Sequence, residues 1–152
     1  MMTLEREDPT QPDLALLHER HTEAMNCDTP PESVHMIPAS GLKRPDIAFF
    51  VLRESGKPLA MGAWKLLSAA HAEIKSMHVL QEARGRGLAR QFLRDLIAQA
   101  RFEGIERLSL ETGVQPSFIA ARGLYLSEGF EECPPFGDYR LDPNSVFMTR
   151  AL

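Results

Sequence analysis

Five arginines, at positions 84, 86, 90, 94 and 101, stand against only Glu82 and Asp95 in the stretch 81–101, while the 152-residue chain as a whole carries a formal charge of −4. Positive charge is therefore gathered around one short run, Arg84-Gly85-Arg86-Gly87-Leu88-Ala89. The run joins a strand-like segment, 72–80, to a strongly helical one, 88–102. Glycines at such a joint let backbone N–H groups converge without Cβ obstruction. The first turn of the following helix adds four unpaired N–H groups and the positive end of its dipole. An anion, and a phosphate in particular, is the expected guest. A P-loop needs G-x-x-x-x-G-K-[ST] and a dinucleotide fingerprint needs G-x-G-x-x-G. Leu88 and Ala89 follow Gly87, so neither of those loops is present.

The run does fit R-x-x-G-x-A, and a second segment follows it downstream, A-R-G-L-Y-L-S-E-G-F at 121–130, a short helix with a tyrosine closed by Gly-Phe. In order and spacing the two resemble the recurring signatures of the GNAT superfamily of acyl-CoA-dependent N-acetyltransferases. The segments E-I-K-S-M (73–77), L-S-L-E-T-G (108–113), C-P-P-F (133–136) and S-V-F-M (145–148) are similar to those of a subgroup of small bacterial members. The resemblance covers nearly the whole chain. It implies an α/β (α+β) fold, a GNAT-like mixed central β-sheet flanked by helices with a β-α-β cofactor unit, in one domain spanning 1–152.

Composition bounds the alternatives. A chain of this length buries about 68–70% of its unfolded surface around one core. With 43% hydrophobic and 25% charged residues it reads as globular, and its acidic balance argues against nucleic acid as a partner. The first ten residues are polar and acidic, and no window approaches 18 apolar residues, so no membrane segment is expected. Cys27 and Cys133 are too few for a disulfide framework and suit a reducing, cytoplasmic setting as buried small hydrophobes. His18 and His21 share a helix face without a third ligand, so no metal site is expected.

The elements follow from pattern. Thr10-Gln11-Pro12-Asp13 reads as a helix cap, after which Leu14, Leu17, His21 and Met25 recur on one face. Residues 26–45 are rich in proline and polar side chains and predict a loop with at most a short helix, a segment fit to border an acceptor pocket. Segments 47–53, 58–67 and 72–80 predict an antiparallel meander. Leu88, Phe92, Leu93, Leu96, Ile97 and Ala100 form the apolar stripe of a helix ended by Gly104. Residues 105–111 predict a strand parallel to 72–80, which puts the arginine run at a strand's carboxyl end. A helix over 116–128 and strands over 130–132 and 145–152 complete the chain, the strands being joined by the turn-rich stretch 134–144.

The resemblance implies roles. The two parallel strands splay at their carboxyl ends and acetyl-CoA enters the gap. Backbone groups of Met77, His78 and Val79 pair with the pantetheine amides, and an N–H near His78 or Val79 serves as oxyanion donor. The N–H groups of Arg84, Gly85, Arg86, Gly87, Leu88 and Ala89 hold the pyrophosphate, with charge from Arg84 and Arg86. Tyr125 protonates the leaving thiolate. Many members carry an asparagine seven residues before that tyrosine; here the place is Phe118, so the contact is absent or apolar. Glu111 and Glu73 both border the splay and either serves as base. Glu111 is placed ahead, because Glu73 lies about 13 Å back from Met77 along an extended strand. Strict alternation sets Glu73, Lys75 and Met77 on one face unless a bulge intervenes. Lys75 is a partner for either acid. The acidic Glu73, Glu111 and Asp138 favour a cationic amine as acceptor, small molecule or protein. The rival reading is a non-catalytic CoA-binding regulatory module, and an exposed strand edge with the 134–144 loop offers a surface for a homodimer.

Overall fold

The structure, a computed structural model, describes residues 1–152. Seven strands, β1 (Met2–Arg6), β2 (Ile47–Glu54), β3 (Lys57–Leu66), β4 (His71–Val79), β5 (Arg107–Gly113), β6 (Glu131–Glu132) and β7 (Ser145–Ala151), form one sheet in the order β1-β2-β3-β4-β5-β7-β6. Three helices, α1 (Ala15–Asn26), α2 (Leu88–Phe102) and α3 (Ile119–Ser127), flank it. All neighbouring strands are antiparallel except β4 and β5, which run parallel with α2 as their crossover. This is the mixed sheet and the β-α-β unit that the sequence predicts.

The continuous apolar run 48–52 of β2 and the apolar stripe of α2 meet in a contiguous core of 29 buried residues. Phe92, Leu93, Leu96 and Ala100 are fully buried on the α2 side, and Leu14, Leu17 and Leu42 join the same core from the first third of the chain. At about 25 cal/mol per Å² of apolar surface removed from water, such burial is the main favourable term in the fold.

Three local expectations are corrected. The first residues, left without an element in the sequence reading, form edge strand β1, because Leu4 packs on the core while Glu5 and Arg6 stay exposed. The cap at Thr10 is not formed: the Thr10 hydroxyl bonds Asp8, Asp13 pairs with Arg53 at 2.6 Å, and a single 3-10 turn, Pro12–Leu14, leads into α1. The strand expected at 105–111 lies two residues later, because Ile105 is used to close the end of α2, its N–H bonding the Ala100 carbonyl.

Candidate active site

The parallel pairing of β4 with β5 lasts only from His71 opposite Arg107 to Ile74 opposite Leu110. Beyond it β4 remains bonded to β3 and β5 to β7, so the facing edges of the two strands carry backbone groups without ladder partners. The divergence is sharpened by a bulge. Lys75 opposes Ala63 and His78 opposes Met61, leaving Ser76 and Met77 against the single Gly62. Ser76 takes φ +57°, a left-handed conformation that costs a non-glycine residue about 1–3 kcal/mol. The extra residue breaks the strict alternation. Met77 turns to lie with Phe92 of α2 beside Gly62, where a Cβ would meet Phe92 Cε1 at 2.6 Å and Met77 Cγ at 3.3 Å. His78 turns toward His21 of α1, with ring centroids 5.5 Å apart. Burial lowers both imidazoles to about 4, so both are neutral at neutral pH.

The gap is a groove of about 360 Å³, and it brings together Glu73, Met77, His78, Arg84, Glu111 and Tyr125 from two strands, a loop and a helix. Tyr125 is buried at 8% exposure, and its hydroxyl rests 3.9 Å from Met77 Sδ. Burial pushes its phenol up to about 12. Burial also raises Glu111 above the ordinary carboxylate value, with Lys75 and His35 acting in the opposite direction. Phe118, in the place where an asparagine is common, faces Gly113 so closely that a Cβ there would lie 2.4 Å from its ring. The contact at that position is apolar.

At the carboxyl end of β4 the 3-10 turn Gln81–Ala83 leads into the arginine run. Gly85 and Gly87 hold φ +81° and +73° with open space where a side chain would stand. The N–H groups of Gly85, Arg86, Gly87, Leu88 and Ala89 donate to no backbone carbonyl of the chain. A cradle of this kind fits a pyrophosphate. The arginines divide by task. Arg84 lines the groove. Arg86 is paired with Glu54 of β2 at 2.5 Å, and Arg90 and Arg94 both clasp Glu128 at the end of α3, at 2.5 and 2.9 Å. Leu88 is buried, and Val79 packs against the core.

Sequence reasoning missed Tyr139. Its hydroxyl donates to Glu73 Oε2 at 2.5 Å, while Lys75 Nζ donates to the same oxygen and to the Tyr139 oxygen, each at 3.1 Å. The Glu73 and Lys75 side chains are 5% and 11% exposed, so the ion pair left open between Lys75 and two acids forms with Glu73. His35, Phe136 and Phe147 hold the Tyr139 ring at centroid distances of 5.0, 5.3 and 5.4 Å. This cluster is the wall between the groove and a second cavity of about 660 Å³ on the far side. The segment 137–144 covers that cavity and is latched to the 26–45 loop, since Ser33 Oγ donates to Asp142 at 2.7 Å. Asp138 lies exposed on its lining. The one available signal was composition: a tyrosine, one of two in the chain, inside an otherwise turn-forming stretch.

A sheet that parts along one parallel seam, with unpartnered N–H groups at the mouth and a buried phenol inside, has the shape and the donors to admit a long ligand that ends in a phosphate. Residues 12–130 match the acetyltransferase (GNAT) family, and the chain belongs to that family. It is an acyl-CoA N-acetyltransferase, with acetyl-CoA as cosubstrate. It is 42% identical over 151 residues to the uncharacterized N-acetyltransferase YsnE of Bacillus subtilis (strain 168), covering 99% of this chain and 100% of that one. It is 40% identical over 152 residues to the uncharacterized N-acetyltransferase YedL of Escherichia coli (strain K12), covering 100% and 96%. The fold is shared with the PaiA N-acetyltransferase of Thermoplasma acidophilum, solved in complex with coenzyme A, at TM-score 0.79 and 12% identity over 100% and 99% of the two chains.

Proposed function

We propose that the chain acetylates an amine by direct attack on acetyl-CoA in a ternary complex, without an acyl-enzyme intermediate. The observation that carries this reading is the common wall of the two cavities: Glu73, Lys75 and Tyr139 line both the groove and the larger cavity. Donor and acceptor approaching from opposite sides meet there, and the wall's own side chains are tied to partners, Lys75 and the Tyr139 hydroxyl to Glu73 and Ser33 to Asp142, so that none is offered as an acetyl carrier. Acetyl-CoA supplies the thioester. The cradle formed by the N–H groups from Gly85 to Ala89, with Arg84 beside it, holds the pyrophosphate. The open edge of β4 at Met77, His78 and Val79 takes the pantetheine amides as an added strand.

An ammonium, with an ordinary pKa about 10.4, has no lone pair and must lose a proton before it attacks. Glu111, its carboxyl raised by burial, is poised to take that proton directly or through water. A backbone N–H next to the bulge, at His78 or Val79, faces the thioester oxygen as charge develops. As the tetrahedral intermediate collapses, Tyr125 donates to the departing sulfur. Cys27 is exposed and Cys133 half-buried, so neither is the buried small hydrophobe expected of it; as two free thiols they support a reducing cytoplasmic location.

The reading is tested by measuring CoA release over an amine panel at varied concentrations of both substrates. Intersecting initial-velocity lines are expected. Parallel lines, the mark of a covalent intermediate, overturn the direct mechanism. Binding of acetyl-CoA without release by any amine makes the protein a CoA-binding regulatory module instead.

A further inference from the structure

The larger cavity has a charge pattern that an amine alone does not explain. Its floor is the face of β3 and β4 on which Lys65 stands directly opposite Glu73, with Lys75 two residues along. Two ammonium groups thus flank a single carboxylate, and that carboxylate is already engaged by Lys75 and by the Tyr139 hydroxyl. Arg140 adds a third cation from the covering segment. Neither Lys65 nor Arg140 has an ion-pair partner in the protein. The acid nearest the latch, Asp142, is likewise taken, bonded by the Ser33 hydroxyl and the Asn144 N–H. Apolar lining is limited to Leu67, Leu141 and Pro143 beside the Tyr139 ring. Glu32 and Asp138, exposed as Arg140 is, line the same cavity and are likewise without an ion-pair partner, so the unpaired charge on this side of the wall is of both signs, as a zwitterion requires, and at the floor it is the Lys65 cation, whereas the groove side presents Glu111 to an incoming amine.

We infer that the cavity selects acceptors that carry a carboxylate as well as the amine, that is, amino acids or other small amino-carboxylates. The inference rests on the acetyl-transfer reading above and adds to it the class of acceptor. In this arrangement the amine reaches past Tyr139 toward Glu111 and the thioester, and the carboxylate is held behind it by Lys65 and Arg140. A carboxylate paired with lysine and arginine forms charge-assisted hydrogen bonds, with geometry best satisfied by the guanidinium fork. Large apolar amines gain little from such a lining.

The test is a matched acceptor series: the common L-amino acids, β-alanine and 4-aminobutyrate, each assayed beside its carboxamide and beside the amine that lacks the carboxyl group. Acids are expected to show kcat/KM about 10–100-fold above both neutral counterparts, the scale of a charge-assisted hydrogen bond. Lys65→Gln and Arg140→Gln are expected to raise KM for the acids by a similar factor. The same variants should leave kcat, KM for the carboxamides and acetyl-CoA affinity unchanged. Carboxamides or simple amines used as well as the acids overturn the inference while leaving the transferase reading in place. If acetyl-CoA binds and no amine of the series releases CoA, the transfer reading fails, and calorimetry with the acids in the presence of CoA decides the cavity on its own. Saturable binding lost in the Lys65→Gln/Arg140→Gln double variant sustains the carboxylate site; no binding, or binding indifferent to those changes, refutes it.

Discussion

Glu111 and Glu73 border the same gap in unlike company. Glu73 is bonded by Lys75 and Tyr139, both at Oε2, so one of its two oxygens is committed, whereas Glu111 is held above the ordinary carboxylate range by burial. A base must be deprotonated to act, so activity falls as pH drops through the raised value. Glu111→Gln is expected to abolish an acidic limb in kcat/KM that lies above pH 4.5, the ordinary value. Glu73→Gln should preserve that limb, and pH–rate profiles of both variants decide the assignment. Tyr125 shows the opposite use of burial. A phenol at about 12 is a poor acid toward a thiolate whose conjugate thiol has a pKa about 8.5. In the role proposed for it, Tyr125 contributes a strong hydrogen bond to the leaving sulfur more than a released proton. Tyr125→Phe should thus lower kcat by about 10–100-fold, the worth of a hydrogen bond to a charged group, with acetyl-CoA affinity unchanged. Single-turnover kinetics beside calorimetry check this. Glu111, Tyr125 and the glycine run were legible in the sequence because motif and strand end place them. Tyr139 was not, since its role depends on a loop folding back over β4, a contact 66 residues from Glu73 that no local pattern encodes.

Elements with a strong period were read correctly, α2 and the β2–β4 meander above all, because burial of one face dictates the spacing. The bulge in β4 has no such signature. Ser76 is an unremarkable residue for a strand, and its left-handed backbone lies opposite Gly62, where only hydrogen leaves room for Phe92 and Met77. Gly62→Ala is expected to destabilise the fold by about 1–3 kcal/mol through this overpacking. By displacing Met77 it should also weaken acetyl-CoA binding. Calorimetric unfolding and a cofactor titration of the same variant read both effects. A loss of stability with cofactor affinity intact would detach the bulge from the cofactor groove. The edge strand β1 escaped notice for a related reason: strands at a sheet's rim are half solvated, and the alternation Met2-Thr3-Leu4-Glu5 stops after four residues.

At the scale of the whole molecule, ligand binding and stability are linked. At 100-fold excess over its Kd, acetyl-CoA should stabilise the folded state by about 2.7 kcal/mol and raise Tm by about 5–10 °C. Gly87→Glu places a negative side chain in the cradle at φ +73° and should erase this shift, as a thermal melt with and without acetyl-CoA will show. A full shift in the variant would remove the cradle from the site. The short parallel seam has a mechanical meaning as well. Strands β1 to β4 and strands β5 to β7 are two plates riveted along four residue pairs, 71–74 against 107–110, with α2 as the strap between them. Plates joined so narrowly open as separate cooperative units. Native-state hydrogen exchange should find the β5–β7 amides escaping through a smaller opening than those of β2 and β3. A cosubstrate lying along the free edge of β4 lengthens the joint, so acetyl-CoA should merge the two openings into one.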